Sequence, residues 1–243
     1  MTMDDRMPGV VITGAAGDMG RALADSYLAD GFRVFGGDVA PVTPREGLVA
    51  AELDVCDRMA VFALAEHAAA TSDLRIWINA AGIVRATPVR NADPDDWDRI
   101  IAVNLTGTFY GCAAALEVMA EAGRGGRIVN VGSLSGHVGG TGVHPAYGAS
   151  KAGVHALTKS YGLEGAKSGV CCNAVAPSVV LGSMADGFRP DQIERLERGV
   201  PLKRLARMEE DIVPTIRFLA DERQAGYLNG VILPVNGGSY MPG

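Results

Sequence analysis

Cysteine is scarce in this chain, and the four present (Cys56, Cys112, Cys171 and Cys172) show no Cys-x-x-Cys spacing. Neither a zinc site nor a redox dithiol is therefore expected. Cys171 and Cys172 are neighbours in a strand-like run, where successive side chains point to opposite faces. All four read as reduced packing residues of a cytoplasmic protein, with no metal and no disulfide. Positive charge is not in excess either: 22 basic against 28 acidic side chains leave a formal charge of −6, which argues against nucleic acid and against an anionic membrane surface. No uninterrupted apolar run approaches the ~20 residues of a membrane span. The first nine residues carry Asp4 and Asp5 and no apolar stretch, so they do not read as a secretory signal. Internal repeats, low-complexity tracts and linkers rich in Pro, Gly or Ser are also lacking. What remains is a chain of 243 residues, 48% of them hydrophobic, which is enough to bury one large core across residues 1–243. A small molecule is the expected partner.

Short apolar runs alternate with longer amphipathic ones, the pattern of parallel strands joined by crossover helices. Strands are predicted at Val10–Ile12, Arg33–Gly36, Val49–Val55, Leu74–Ile78, Arg127–Val131, Val170–Val175 and Val231–Val235. Asp93-Pro94 supplies a capping carboxylate and a proline suited to the first helical position, while Gly31 and Gly169 follow helical stretches as stops. The predicted fold class is α/β: a single-domain, doubly wound, mostly parallel seven-stranded sheet with helices on both faces, of the Rossmann-like kind. Its ligand crevice lies beyond the carboxyl ends of the strands. The polar segment 179–204 follows a strand and is placed as a lid over that crevice.

Immediately after the first strand comes Thr13-Gly14-Ala15-Ala16-Gly17-Asp18-Met19-Gly20, opening into a helix. Glycines there let the backbone turn tightly and let a pyrophosphate approach the N–H groups at the helix start. Asp38 ends the second strand about 20 residues further on, where an acid binds the adenosine ribose hydroxyls. A 2′-phosphate at about 4 Å from that carboxylate is repelled by roughly 4 kcal/mol at an effective dielectric of 20. NAD is thus expected over NADP, unless Arg33 or Arg45 folds in to compensate.

Tyr147 and Lys151 stand four residues apart, so on a helix they share one face. They follow a strand and the hydroxyl-rich segment Gly132-Ser133-Leu134-Ser135-Gly136. Alcohol oxidation needs a base for the hydroxyl proton as hydride leaves, and ketone reduction needs the reverse. A free tyrosine titrates near 10, about three units too high. A neighbouring ammonium favours the phenolate by about one to three units, which is borderline alone, and the positive ring of bound NAD is expected to supply the remainder. A serine hydroxyl holds the substrate oxygen.

In sum these residues resemble the single-domain branch of the short-chain dehydrogenase/reductase family, from Val10 to Gly238. Thr13–Gly20 resembles the family's cofactor loop, and Asp54-Val55 its acid and apolar pair beside the adenine. Asn79-Ala80-Ala81-Gly82 resembles its Asn-Asn-Ala-Gly, and Val103-Asn104 matches its structural and catalytic asparagine. Asn173-Ala174-Val175-Ala176-Pro177 and Val235-Asn236-Gly237-Gly238 match later landmarks. The resemblance implies a catalytic tetrad of Asn104, Ser133, Tyr147 and Lys151. In it Asn104 interrupts a helix and holds a water linked to Lys151, which also bonds the nicotinamide ribose. It implies further cofactor contacts from Gly14, Gly17, Asp18, Met19, Gly20, Pro177 and the backbone of Val180, and a homotetramer built through 100–122 and 147–168.

The match is not complete. Asp18 stands where the family's loop has glycine, and is read either as a helix cap or as an unfavourable charge near the pyrophosphate. Ala80 replaces an asparagine and Ser178 a glycine. Ser135 is a rival to Ser133. Substrate contacts are expected from Ser135, His144 and Met184, with Arg85, His137, Phe188 and Tyr240 as further candidates. Their mixed polarity points to a polyol or small hydroxy compound. Three functions are weighed: NAD-linked oxidation of a secondary alcohol, reduction of a 3-oxoacyl thioester, and a non-catalytic dinucleotide-binding sensor. The four tetrad residues together favour an enzyme, and Asp38 and the negative net charge favour the first.

Overall fold

A computed structural model describes residues 6–140, 142–182 and 189–242. Among these, seven parallel strands form one sheet: β1 (Pro8–Thr13), β2 (Arg33–Asp38), β3 (Leu48–Glu52), β4 (Asp73–Asn79), β5 (Gly126–Val131), β6 (Val170–Pro177) and β7 (Ile232–Val235), in the order β3-β2-β1-β4-β5-β6-β7. All seven predicted strands are present. The third is shorter than the sequence pattern suggests, because the Asp54 side chain accepts the Cys56 N–H at 2.9 Å and turns the chain out of the ladder. The chain builds outward from β1 to β3 and then returns to lay β4 against the other side of β1. The strand order therefore reverses between β1 and β4, where Thr13 and Asn79 are paired, and a crevice opens beyond these ends.

Side-chain alternation divides the core between the two faces of the sheet. Val10, Ile12, Ile76 and Ile78 pack with α1 (Asp18–Ala29) and α8 (Val213–Ala220), while Val11, Phe35, Trp77 and Ile128 pack under α2 (Arg58–Thr71) and α4 (Gly107–Ala122). The helix ends follow local chemistry. Asp57 caps α2 by accepting from Met59 and Ala60, and Asp93 caps α3 (Pro94–Ile101) by accepting from Asp95, with Pro94 at its start. Gly31 and Gly169 both have positive φ where helical stretches end, as expected of such stops. Between α3 and α4 the segment Ala102–Thr106 is π-helical. The whole run Pro94–Ala122 is long and apolar enough to cross a membrane by length and composition, with half of its apolar window buried inside the fold. After β5 come the short α5 (Ser135–Val138) and the long α6 (Pro145–Gly165); α7 (Pro190–Gly199) follows β6, and α9 (Glu222–Ala225) precedes β7.

Candidate active site

The loop after β1 is shaped by contacts that leave no room for side chains. The Gly14 and Ala15 N–H groups bond to the Gly37 carbonyl on β2 at 2.8 and 3.2 Å, which forces Gly14 to a φ of +73°. A Cβ on Gly14 would come within 2.7 Å of the Ala81 backbone, and one on Gly20 would run into the Gly14 carbonyl oxygen. Gly17 occupies the cap position of α1 with no side-chain cap, so the first N–H groups of that helix face the crevice without a side-chain acceptor at the cap. Asp18 is therefore not the cap that the sequence suggested. It is the first helical residue, where an acid suits the helix dipole, and it pairs with Arg21 at 3.2 Å. Asp38 accepts the Ala16 N–H at 2.9 Å through one oxygen and the Ala40 N–H at 2.9 Å through the other. Neither arginine considered as a compensating cation reaches it: Arg33 donates to the Thr71 carbonyl, and Arg45 pairs with Asp25. A turn-forming glycine loop, a helix N-terminus and an acid at the end of β2 fit a nicotinamide dinucleotide.

Across the crevice, α6 presents Tyr147 and Lys151 one turn apart. The Lys151 Nζ lies 5.9 Å from the Tyr147 ring centroid and donates to the Val131 carbonyl at 2.7 Å. Ser133, just beyond β5, is the hydroxyl partner of the Tyr147 phenol and also accepts the Ser135 N–H at 3.1 Å. Asn104 lies in the π-helical segment, so it does interrupt a helix. Its amide grips both backbone groups of Ile83, accepting at 2.8 Å and donating at 2.9 Å, and also donates to Ser150 Oγ at 3.2 Å, which in turn donates to the Tyr147 carbonyl at 2.8 Å. The Asn104 carbonyl accepts from Thr108 at 2.8 Å, which uses one of its two lone pairs. Gly82 sits between Asn104 and Lys151: a Cβ there would lie 3.4 Å from Asn104 Oδ1 and 3.5 Å from Lys151 Nζ.

Burial acts on both ionisable groups of the pair. Burial pushes the Tyr147 phenol above its ordinary value, with only the Ser133 hydrogen bond pulling it down. Burial also brings Lys151 down to about 8. Burial thus works against the charged form of both groups.

A cavity of about 610 Å³ brings these parts together, with Gly14, Gly17, Asp18, Met19 and Gly20 at one end and Ser133, Tyr147 and Lys151 at the other. Ala80, Gly82, Ser135, Pro177 and Val180 also line it. A bridge between Val180 and Ala206 uses the Val179 carbonyl and the Leu181 N–H, leaving the groups of Val180 itself outside that pairing. Asp38, Asp54, Val55, Ala81 and Asn104 do not line it. Val55 is buried under α4, and Ala81 donates to Thr13 Oγ1 at 3.3 Å. A cleft of about 840 Å³ at the opposite end of the sheet, lined by Tyr27, Arg75, Arg127 and Arg217, contains none of the tetrad.

Several expected contacts lie elsewhere. The Asn79 side chain does not face the crevice; it accepts from Trp77 Nε1 at 2.8 Å and donates to Asn130 Oδ1 at 2.8 Å inside the core. His144, expected as a substrate contact, is buried and does not line the cavity. It caps α6, accepting the Ala146 N–H at 3.2 Å while its Nε2 meets the Asp93 carbonyl at 3.0 Å. His137 stacks on Tyr240 at 4.6 Å, and Arg85 pairs with Asp96 at 3.2 Å. Met184 and Phe188 lie outside the described residues. The cavity wall also includes Val84, Ala86, Val143, Leu196 and Val200, none of which the sequence singled out. Aliphatic side chains in loops carry no chemical signature, and only their position after strands could have drawn attention to them.

With this geometry in place, the comparisons are informative. Residues 14–240 match a family model described as enoyl-(acyl carrier protein) reductase. The chain is 36% identical to D-threitol dehydrogenase of Mycolicibacterium smegmatis, over 97% of this chain and 94% of that one. It is 33% identical to (3R)-3-hydroxyacyl-CoA dehydrogenase of Homo sapiens, over 97% and 89%, and 32% identical to acetoacetyl-CoA reductase of an Acinetobacter species, over 95% and 97%. The crystal structure of gox2181 superposes with a TM-score of 0.88 at 25% identity, covering 96% of each chain. The chain belongs to the short-chain dehydrogenase/reductase family, and is an oxidoreductase acting on CH–OH groups.

Proposed function

We propose that this enzyme interconverts a secondary alcohol and its ketone with NAD(H), using Tyr147 as acid and base. The observation that carries the proposal is the convergence of Ser133, Tyr147 and Lys151 with the glycine loop in one cavity. Bound in the glycine cradle, the dinucleotide supplies the hydride acceptor or donor and, when oxidised, a positive charge near the phenol. The remaining chemistry belongs to the chain. Ser133 holds the substrate oxygen and stabilises charge developing on it. Tyr147 takes the hydroxyl proton during oxidation and returns it to the carbonyl oxygen during reduction. Lys151 faces the phenol as it loses its proton and offers its remaining hydrogens to a ribose. Asn104 fixes Ile83 and, through Ser150, the first turn of the helix that carries Tyr147.

The preference for NAD rests on Asp38, whose carboxylate is held toward the glycine loop by two backbone N–H groups. The cytoplasmic assignment rests on four free thiols. A small-molecule substrate and a homotetramer complete the reading. The reduction of a 3-oxoacyl thioester is the second reading, supported by the aliphatic residues of the cavity wall and by two relatives whose names specify acyl-CoA substrates. A purely binding protein has no use for the four converging tetrad groups. The test is a screen of polyols, aliphatic secondary alcohols and 3-hydroxyacyl thioesters, followed by ultraviolet absorbance of the reduced cofactor with NAD and with NADP in parallel. Turnover with NAD, at least tenfold above NADP, is the expected result; preference for NADP contradicts the cofactor assignment.

A further inference from the structure

The cavity has a charge pattern that neither the family nor its relatives' names specify. Among the described residues lining it, only two side chains are charged, Asp18 and Lys151. Lys151 donates to the Val131 carbonyl and lies beside the Tyr147 ring, so it belongs to the proton-transfer group. Asp18 stands at the cofactor end, where a Cβ on Gly182 would lie 3.0 Å from its carboxylate. Other parts of the wall are aliphatic, with Val84, Ala86, Val143, Leu196 and Val200, and Ser135 and Ser239 are among its uncharged polar residues.

Basic residues on the surrounding segments are engaged elsewhere. Arg85 pairs with Asp96, Arg189 with Asp191, Arg198 with Glu194 and Arg204 with Asp211. Arg195 on α7 is exposed and does not line the cavity, so among the described residues the only cation on the wall is Lys151.

Resting on the dehydrogenase reading above, we propose that the site selects substrates by charge: it takes an alcohol or ketone that is uncharged around the carbinol carbon and bears an aliphatic arm, and it rejects hydroxy acids and keto acids. A carboxylate against the aliphatic part of this wall loses its hydration and gains no counter-ion there, the Lys151 ammonium being engaged with the Val131 carbonyl. An ester or thioester of the same acid does not incur that penalty, and its alkyl part lies against the valines and leucine.

The test uses pairs differing in charge: ethyl 3-hydroxybutyrate against 3-hydroxybutyrate, and butan-2-ol against lactate, measured as NADH formation. In parallel, the enzyme–NADH complex is titrated calorimetrically with ethyl acetoacetate and with acetoacetate. The neutral member of each pair is expected to lead by about 100-fold or more in kcat/KM, and the ester to bind correspondingly tighter, as for a buried charge left unpaired. Val143→Arg, which places a guanidinium on the aliphatic part of the wall, is expected to raise kcat/KM for the free acid at least about tenfold relative to the ester. Equal or better use of the acid by the unaltered enzyme overturns the proposal. So does an enzyme–NADH complex that prefers acetoacetate or binds neither ligand. If neither member of a pair turns over while the complex still prefers the ester, the charge selection stands and the hydride-transfer reading fails.

Discussion

Lys151 holds its ammonium in a site that disfavours it. Its pKa falls from 10.5 to about 8 because burial removes water from the charged form. Between those two values the unfolded chain carries a proton that the folded chain has released, so this group's contribution to stability rises with pH across the window. The difference in unfolding free energy between the wild type and Lys151→Met is expected to shift in favour of the wild type by about 3 kcal/mol from pH 8 to pH 10.5. Urea titrations of both proteins without cofactor measure it, and a difference that stays flat with pH contradicts the burial argument. Asp38 makes a different kind of prediction. It stands at the end of β2 with Arg33 and Arg45 engaged elsewhere, and on the proposed NAD reading its charge opposes a 2′-phosphate. Asp38→Ala is expected to improve kcat/KM with NADP relative to NAD by about 10-fold to 100-fold, within the roughly 4 kcal/mol of repulsion removed. A variant that still excludes NADP moves the selectivity to another residue.

At the scale of elements, the glycine loop separates packing from binding. A methyl group at Gly20 collides with the Gly14 carbonyl, so the first turn of α1 and the loop cannot keep their approach. Gly17 has an ordinary φ of −76°, and a methyl there meets only the Gly14 oxygen at 3.4 Å. Gly20→Ala is expected to destabilise the fold by about 1–3 kcal/mol. Gly17→Ala is expected to leave stability within about 0.5 kcal/mol while weakening NAD binding about tenfold, since the methyl intrudes only on the ligand side. Thermal unfolding and fluorescence titration distinguish the two outcomes.

These elements also show what could be read from sequence. The strands were legible because alternation and apolar runs are local signals, and the order Gly14, Gly17, Gly20, Asp38 was legible because each follows a strand. Asn79 was misplaced although the same alternation locates it: two residues beyond Trp77, it must share that residue's face beneath α4 and not face the crevice. His144 was misplaced because a neutral imidazole can cap a helix through Nδ1, a role usually associated with Ser, Thr, Asp or Asn. The rise in the Tyr147 pKa was not legible, because burial depends on packing from several elements and the spacing of Tyr147 and Lys151 reports only their mutual approach.

For the whole molecule, the outer surface of α4 and α6 matters most. Ala149, Ala152 and Ala156 lie exposed along α6, Leu163 is 78% exposed, and Phe109 on α4 is 43% exposed beside Tyr161 at 6.4 Å between rings. Gly153 faces inward, toward Leu105. An exposed strip of small residues flanked by aromatic and aliphatic ones suits close helix contact between copies, which supports the proposed homotetramer. Ala152→Arg is expected to shift the assembly to a smaller species in analytical ultracentrifugation, and an unchanged sedimentation coefficient removes this face from the interface.

The central claim concerns proton transfer across a cavity that opposite halves of the chain complete. Substitution of Tyr147 by phenylalanine removes one hydroxyl and leaves the glycine loop, Asp38 and Lys151 in place. The decisive measurement is single-turnover formation of NADH by Tyr147→Phe, with NADH affinity determined on the same sample. The account predicts affinity within about threefold of wild type and a rate at least about 1,000-fold lower, the scale of a lost general acid or base. A rate within tenfold of wild type, at unchanged affinity, contradicts it.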